Sequence, residues 1–555
     1  MAADERPAPP RVTLDEVRAA HEALQDAARP DTVARQRKRN RWTVREGVSA
    51  LADTGSFVEY GGLVRPAIAG MQGAADGLVM GTARIAGRSV DIVAYDYTVH
   101  AGTQSANNHA KISRMFDHAL QNRMPVVCWL DGGGARPHDM KVEGRGSAET
   151  FVIFARLSGL VPTVAILPGR AFAGHANLAG MCDVLIATRA SAMGMAGPPL
   201  VEAALGLKLT PEEIGPSDVH FAAGAIDILV EDETEAVEKA KRYLGYFGPA
   251  EPAGEAPDQM LLRGLVPENP RRAYDVRRVI AGLADKDSVQ ELRGGYGRAM
   301  ITAFARLGGR TVGVIANQPM YLAGAMDGPA CEKAARFVQI CDAFDIPLLV
   351  LCDTPGLMVG PDIEKTGLVR RSARLLAALA NATIPIMTVV LRKAYGLGYY
   401  IMGSRPLSPA ILLAWPTAEY GGMGLEGAAS IIYRKELDAI GDAERRGALR
   451  FVIDDHHRFA PSIDRAQHEL RELVHHERDE AGENERHLEL RLRLQHQIAD
   501  AEIRRDAFGD HRADERQRYR DFQRAEEIRQ RARDADLAHD VELGGDRKST
   551  RLNSS

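Results

Sequence analysis

Two stretches of this chain, "IAGRSVDIVAYDYTVHAG" from Ile85 and "LGGRTVGVIANQPMYLAG" from Leu307, share a pattern: Gly-Arg, an alternating apolar strand, a polar turn and Ala-Gly. Arg88 and Arg310 lie 222 positions apart. The same shift carries Lys111 onto Lys333, Pro125 onto Pro347, Asp131 onto Asp353 and Gly134 onto Gly356, so "NRMPVVCWLDGGGA" runs against "FDIPLLVLCDTPGL" without a gap. A shift of 223 then pairs Pro162 with Pro385, Arg170 with Lys393, Ala171 with Ala394 and Phe172 with Tyr395. Two lengths of about 200 residues with one organisation mean a duplicated domain.

Each copy alternates strand and helix. "SVDIVAY" alternates as a strand does, and "NNHAKISRMFDHALQNR" has helical apolar spacing. "MPVVCWLD" and "VPTVAIL" are continuous apolar runs of the kind found in buried parallel strands. That order implies right-handed βαβ units with ligands at the C-terminal strand ends, where "DGGGA" and "GRAFAG" fall. A dinucleotide loop at "DGGGA" is disfavoured, because the chain has no Gly-x-Gly-x-x-Gly opening a helix with an acid about 20 residues on.

Composition sets the remaining bounds. The 555 residues, 45% hydrophobic and 26% charged, suffice for several compact domains. A net charge of -5 provides no basic field for nucleic acid. The five cysteines lack the short paired spacing of a zinc or redox site, so no metal is expected and they read as buried thiols of a reducing compartment. The start, "MAADERPAPP", has no signal-peptide order, and no apolar run reaches the ~18 residues that a membrane span needs. A cytoplasmic protein without membrane partners is expected.

The chemistry concentrates in "LRKAYGLGYYIMGSR", Leu391 to Arg405, which follows the apolar run "IPIMTVV". A strand that passes through glycine into a helix leaves amide N–H groups unpaired, and these bind anions. The repeat gives this stretch a partner, "LPGRAFAGHANLAG". With "GSFVEYGGL", "LDGGGARP", "ANQPMYLAG", "EKAARFVQICDAFDIPLLVLCDTPG" and "AWPTAEYGGMGLEGAASIIYRKEL", these segments resemble the carboxyltransferase (β) subunit of biotin-dependent acyl-CoA carboxylases of the propionyl-, methylcrotonyl- and acetyl-CoA type. The resemblance runs from about Gln36 to Leu449. "GRAFAG" and "GPPLVEAALG" are closer to carboxyltransferase regions fused to biotin carboxylase than to the commoner "GPCAGG" form.

The resemblance implies an α/β fold of two tandem crotonase-like (ββα superhelix) domains, here residues 41–255 and 256–450, after an N-terminal extension, 1–40. It also implies the reaction. Carboxybiotin on a separate carrier protein releases CO2, the α-proton of the acyl thioester is removed, and the thioester enolate attacks CO2. Both partners pass through oxyanions, which backbone amides can stabilise. By position, Ala173 and Gly174 match the pair facing the acyl-CoA carbonyl, and Leu397 and Gly398 the pair facing biotin. The family usually has Gly where Leu397 stands and a small residue where His175 stands. Gly133, Gly134 and Ala135 are placed along the CoA pantetheine, or form only a tight turn. His175 is a proton relay or a polar filler, and Tyr400 falls where relatives choose acyl-chain length. Arg392 and Lys393 either bring positive charge toward the enolate or are solvated. Expected partners are an acyl-CoA, a biotin carboxylase, a biotin carboxyl carrier and further copies of the chain, as a dimer or a trimer of dimers. A decarboxylase subunit with the same fold and a non-catalytic assembly partner remain as alternatives.

Two segments are set apart. "DMKV", Asp139 to Val142, has a Met-Lys without the flanks of a biotinylation site and reads as surface loop. Residues 451–555 form a charged tail: His456 to Asp546 holds no Lys and nine of the sixteen His, and "DRKSTRLNSS" looks like translated adapter. A partly frame-shifted reading is expected there.

Overall fold

Buried parallel strands need cover on both faces, and the apolar runs of the two copies become the centres of two sheets. A computed structural model describes residues 13–136, 147–269, 271–432 and 434, which fall in one compact unit; "DMKV" and the charged tail lie outside them. The first sheet contains β1 (Val58–Glu59), β2 (Leu78–Ile85), β3 (Arg88–Tyr95), β4 (Val126–Trp129) and β5 (Thr163–Leu167). β6 (Arg170–Phe172) and β8 (Ala192–Gly194) form a separate parallel pair, while β7 (Val184–Thr188) and β9 (Ile228–Val230) complete the order β1-β2-β3-β4-β5-β7-β9. The second sheet has β10 (Gln290–Leu292), β11 (Met300–Leu307), β12 (Arg310–Asn317), β13 (Leu348–Thr354), β14 (Ile386–Tyr395) and β15 (Ile411–Ala414) in order, and β16 (Glu419–Gly421) also pairs with β14.

The hairpins β2–β3 and β11–β12 are antiparallel, and everything after them in each sheet pairs parallel. Periodicity alone announces only the second strand of each hairpin; the first belongs to the ββα unit. Its signal is the two-residue turn, Ala86-Gly87 or Gly308-Gly309, with all four residues at positive φ, as a type I′ hairpin requires.

The repeat survives at the level of single hydrogen bonds. Gln104 N–H donates to the Gly134 carbonyl at 2.7 Å, and Met326 N–H to Gly356 at 3.0 Å; Arg136 N–H returns to Gln104, and Met358 N–H to Met326. Lys111 donates its ammonium to the Ala75 and Leu78 carbonyls, and Lys333 to those of Arg293, Tyr296 and Met300, so each buried lysine pins the loop that enters the hairpin. The two halves share one apolar core. Rings of Tyr243, Tyr246 and Phe247, at the end of the first copy, pack on Phe304 and Phe344 of the second. Arg336 also reaches Asp183 across the halves at 3.2 Å.

Gly102 and Gly324 hold equivalent turns against the strand ends. Their φ values are 61° and 85°, and a Cβ on either would overlap the backbone carbonyl of Asp131 or Asp353. Gly87 has a φ of 77° but open space around it. Gly102→Ala and Gly324→Ala should therefore each cost about 2–4 kcal/mol, strain and overlap together, against about 1 kcal/mol for Gly87→Ala. Urea denaturation midpoints of the three variants check the order.

Candidate active site

In both copies the strand ladder breaks at one place. β4 pairs with β5 through Trp129–Ile166, and contact resumes at the bridge Gly132–Ala171; β13 pairs with β14 through Cys352–Val390 and resumes at Thr354–Ala394. Extra residues on the second strand bulge out between, and a bulge orphans backbone donors. A carboxylate takes the orphan. Asp131 Oδ1 accepts the Arg170 N–H at 3.0 Å, and Asp353 Oδ1 accepts the Lys393 N–H at 3.1 Å. The other oxygen of each meets an arginine: Arg41 Nη2 at 2.6 Å from Asp131, Arg392 Nε at 3.1 Å from Asp353. Both carboxylates are buried.

Three residues past each anchored N–H, the chain turns into a helix. Ala173, φ 51°, caps the helix Gly174–Met181, and Gly396, φ 54°, opens the helix Gly396–Tyr400. The turns therefore superpose at the shift of 223, with Gly174 on Leu397 and His175 on Gly398. First-turn amides have no intrahelical acceptor, and those of Gly174, His175, Leu397 and Gly398 find no other acceptor among the described residues. The Ala173 amide is different. It already donates to the Gly194 carbonyl at 2.9 Å, because β6 pairs with β8. What Ala173 provides is the turn, and the amides beside it are those of Gly174 and His175.

The loop "DGGGA" runs alongside the first turn. Gly134, φ 93°, is buried, with a virtual Cβ 3.1 Å from the Ala173 Cβ, while Gly133 and Ala135 are exposed. Gly174 leaves no room either: a Cβ there would overlap the Gln104 side chain. His175 is not a relay open to a ligand. Its ring is fully buried, edge-on to Tyr95 at 4.3 Å between centroids, and a Cβ on Gly132 would stand 2.5 Å from it. Burial pulls the imidazole down to about 4, with the Phe172 and Gly102 carbonyls offsetting part of that. Neither ring nitrogen has a hydrogen-bond partner among the described residues.

At the second turn, Leu397 and Tyr400 are half exposed and Gly398 is buried, its virtual Cβ 2.6 Å from the Gly356 Cα. Arg392 neither faces solvent nor is free for a substrate. It is 1% exposed, stands 5.1 Å over the Tyr274 ring, and donates to the Asn269 and Arg272 carbonyls besides Asp353. Lys393 is half buried, and desolvation lowers its ammonium pKa despite Asp353 nearby. Asp131, Asp353, Gly132 and Gln104 were not singled out from sequence as site residues. The gapless match of Asp131 to Asp353 was the available signal for the first two.

Such an architecture, two sheets whose matching turns present bare amides at their strand ends, is that of a crotonase-like enzyme. A family model described as "Carboxyl transferase domain" matches residues 35–503. The methylmalonyl-CoA carboxyltransferase 12S subunit of Propionibacterium freudenreichii subsp. shermanii is 36% identical, covering 74% of this chain and 81% of its own. A propionyl-CoA carboxylase beta chain of Cereibacter sphaeroides is 37% identical, over 77% and 86%. Among solved structures, a single-chain, multi-domain long-chain acyl-CoA carboxylase superposes with TM-score 0.77 and 42% identity over 83% of this chain, which spans 47% of that larger protein. The transcarboxylase 12S hexamer superposes with TM-score 0.76 and 33% identity, over 83% of this chain and 92% of that one. The chain belongs to the carboxyl transferase family, as a carboxyltransferase subunit of the biotin-dependent acyl-CoA carboxylase type.

The buried His175 sets a pH dependence of stability. Its pKa is about 4 in the fold and near 6.5 when unfolded, so unfolding takes up a proton between those values and stability falls as pH drops through that window. Between pH 7.5 and 5 the loss from this group should be about 2 kcal/mol. Comparing His175→Asn with the parent in urea at both pH values checks it: the variant's pH-dependent loss should be smaller by about that amount.

Proposed function

We propose that the first turn receives the thioester carbonyl of an acyl-CoA and the second receives the biotin ring, so that carboxyl transfer runs between two backbone oxyanion holes. What carries this reading is the duplication of one feature, a small-residue turn with acceptor-free amides. Gly174, with the His175 amide next to it, donates to the thioester oxygen, and Ala173 shapes the turn. Leu397 and Gly398 donate to the ureido oxygen. Each donor in such a hole contributes roughly 3 kcal/mol to the transition state. Gly133, Gly134 and Ala135 border the pantetheine arm, and the half-exposed Tyr400 bears on acyl-chain length. Carboxybiotin, brought in on a separate carrier protein, supplies the CO2 and the base. The holes lower the cost of negative charge on oxygen without a charged side chain, which fits the consumption of Arg392 by its own strand end.

Biotin carboxylase and biotin carboxyl carrier are proposed as the working partners, in the cytoplasm, where buried unpaired cysteines are stable. Among the described residues no helix is long and apolar enough to cross a membrane. Exposed apolar residues flank both turns: Met195, Leu200 and Leu205 follow Gly194, and Val359 follows the Gly356 that packs on Gly398. A second copy would cover them, and the chain is expected as a dimer or trimer of dimers. Light scattering at micromolar concentration should give at least twice the mass of one chain.

The structure shapes the test of the holes. Proline deletes an amide and is tolerated in the first turn of a helix. Leu397→Pro leaves the buried Gly398 alone, and Gly174→Pro is best made in a Gln104→Ala background, where the overlapping side chain is gone. Each should lower carboxyl transfer from carboxybiotin to acyl-CoA on the order of a hundredfold. Only Leu397→Pro should slow carboxybiotin turnover without acyl-CoA. Decarboxylation of malonyl- or methylmalonyl-CoA with free biotin, run across acyl lengths, reads activity and chain preference together. Folded variants within twofold of the parent would rule the holes out.

A further inference from the structure

Resting on that reading, we propose that Asp131 and Asp353 are the positioning residues of the two half-sites, each acting on its own half of the reaction. Neither carboxylate touches a turn amide. Each acts one step back, on the N–H three residues before the turn, where the ladder has broken and the backbone offers that donor no acceptor. Oδ1 fixes where the strand ends, and Oδ2 is fixed in turn by a guanidinium. The carboxylate also carries a second constraint. Its own backbone carbonyl sits against Gly102 or Gly324, with no space for a Cβ, and the Asp353 N–H donates to Asn317 Oδ1 at 3.0 Å. Each aspartate is thus clamped at N–H, C=O or carboxylate by three different segments, and the turn hangs from it.

The two clamps are equivalent in geometry and differ in the source of the cation. Arg41 arrives from the N-terminal segment, its side chain 16% exposed, and lies 3.7 Å from Glu233 as well. Gly169, next to Arg170, gives it room: a Cβ there would overlap its guanidinium. Arg392 comes from β14 itself and is wholly buried. The first half-site can therefore be loosened through Arg41 without touching the second, and the second through Arg392 without touching the first.

The assay pairs two measurements on the full chain: carboxybiotin turnover without acyl-CoA, and kcat and KM for acyl-CoA in the complete transfer. Asp131→Asn keeps an acceptor for Arg170 but loses the charge that holds Arg41. It should raise the acyl-CoA KM or lower kcat/KM by tenfold or more, with carboxybiotin turnover within twofold of the parent. Asp353→Asn should lower carboxybiotin turnover and kcat by tenfold or more, with the acyl-CoA KM unchanged. Should either variant fail to fold, Arg41→Gln and Arg392→Gln, which leave the carboxylates in place, are expected to reproduce the same split. Loss of both measurements in equal proportion in every folded variant, or no loss in any, would overturn the assignment. A parent chain that turns over neither substrate would instead overturn the functional reading on which it rests.

Discussion

A parallel ladder that breaks must give its orphaned donor an acceptor or lose the burial that made the strand. In this protein the break falls at the same place in both copies, and a buried carboxylate fills it. The arrangement is costly by itself: an ionised carboxylate in an apolar interior is tolerated only when paired and hydrogen-bonded. Desolvation does raise the Asp353 pKa, against the pull of Arg392 and the Lys393 amide. The cost is met by a guanidinium, by a backbone N–H and by the close glycine approach that seals the strand end. Everything that makes the turns useful, the bare amides and the positive-φ residue before them, lies beyond that fixed point.

Duplication keeps the backbone and lets the side chains diverge. At the first turn, His175 and Tyr95 fill the space beneath "DGGGA"; at the second, the equivalent positions are Gly398 and Asn317, and Gly356 packs directly on Gly398. The first copy therefore has a ring where the second has backbone on backbone. The His175 ring is neutral near pH 7 because burial disfavours its charged form, so it fills volume without adding a charge beside the turn. The first copy also leans on the N-terminal segment, through Arg29 to Asp96, Arg41 to Asp131 and Arg45 to Glu59. The second clamp is built without that segment, from β14 and the loop that holds Asn269, Arg272 and Tyr274.

Much of this was legible in the sequence because glycine and proline mark backbone that nothing else fits. Gly102 with Gly324 and Gly134 with Gly356 match at one shift since both members of each pair have a positive φ to satisfy. The apolar runs announced the parallel strands for the same kind of reason, burial on two faces. Three things were not legible. The first strand of each hairpin has no clear period of its own, and only the turn pairs Ala86-Gly87 and Gly308-Gly309 point to it. The loss of the Ala173 amide depends on two three-residue strands, β6 and β8, whose pairing no local pattern encodes. Arg41 and Asp131 are 90 positions apart, and nothing in either segment names the other.

The slip from 222 to 223 bears on how the two half-sites compare. Residues up to Gly134 and Gly356 match at 222 and those from Pro162 and Pro385 onward at 223, so the second copy is one residue longer in the connection that precedes β14. That extra residue does not move the turns out of register with their clamps, because each clamp acts after the slip, on Arg170 and Lys393, which themselves match at 223. A carboxylate placed before the slip thus holds a donor placed after it, as the ladder already does where Val126 N–H donates to Pro162 and Leu348 N–H to Pro385. The extra residue is absorbed in the connection, so the two copies differ in length and still present matching amides beyond the same kind of clamp.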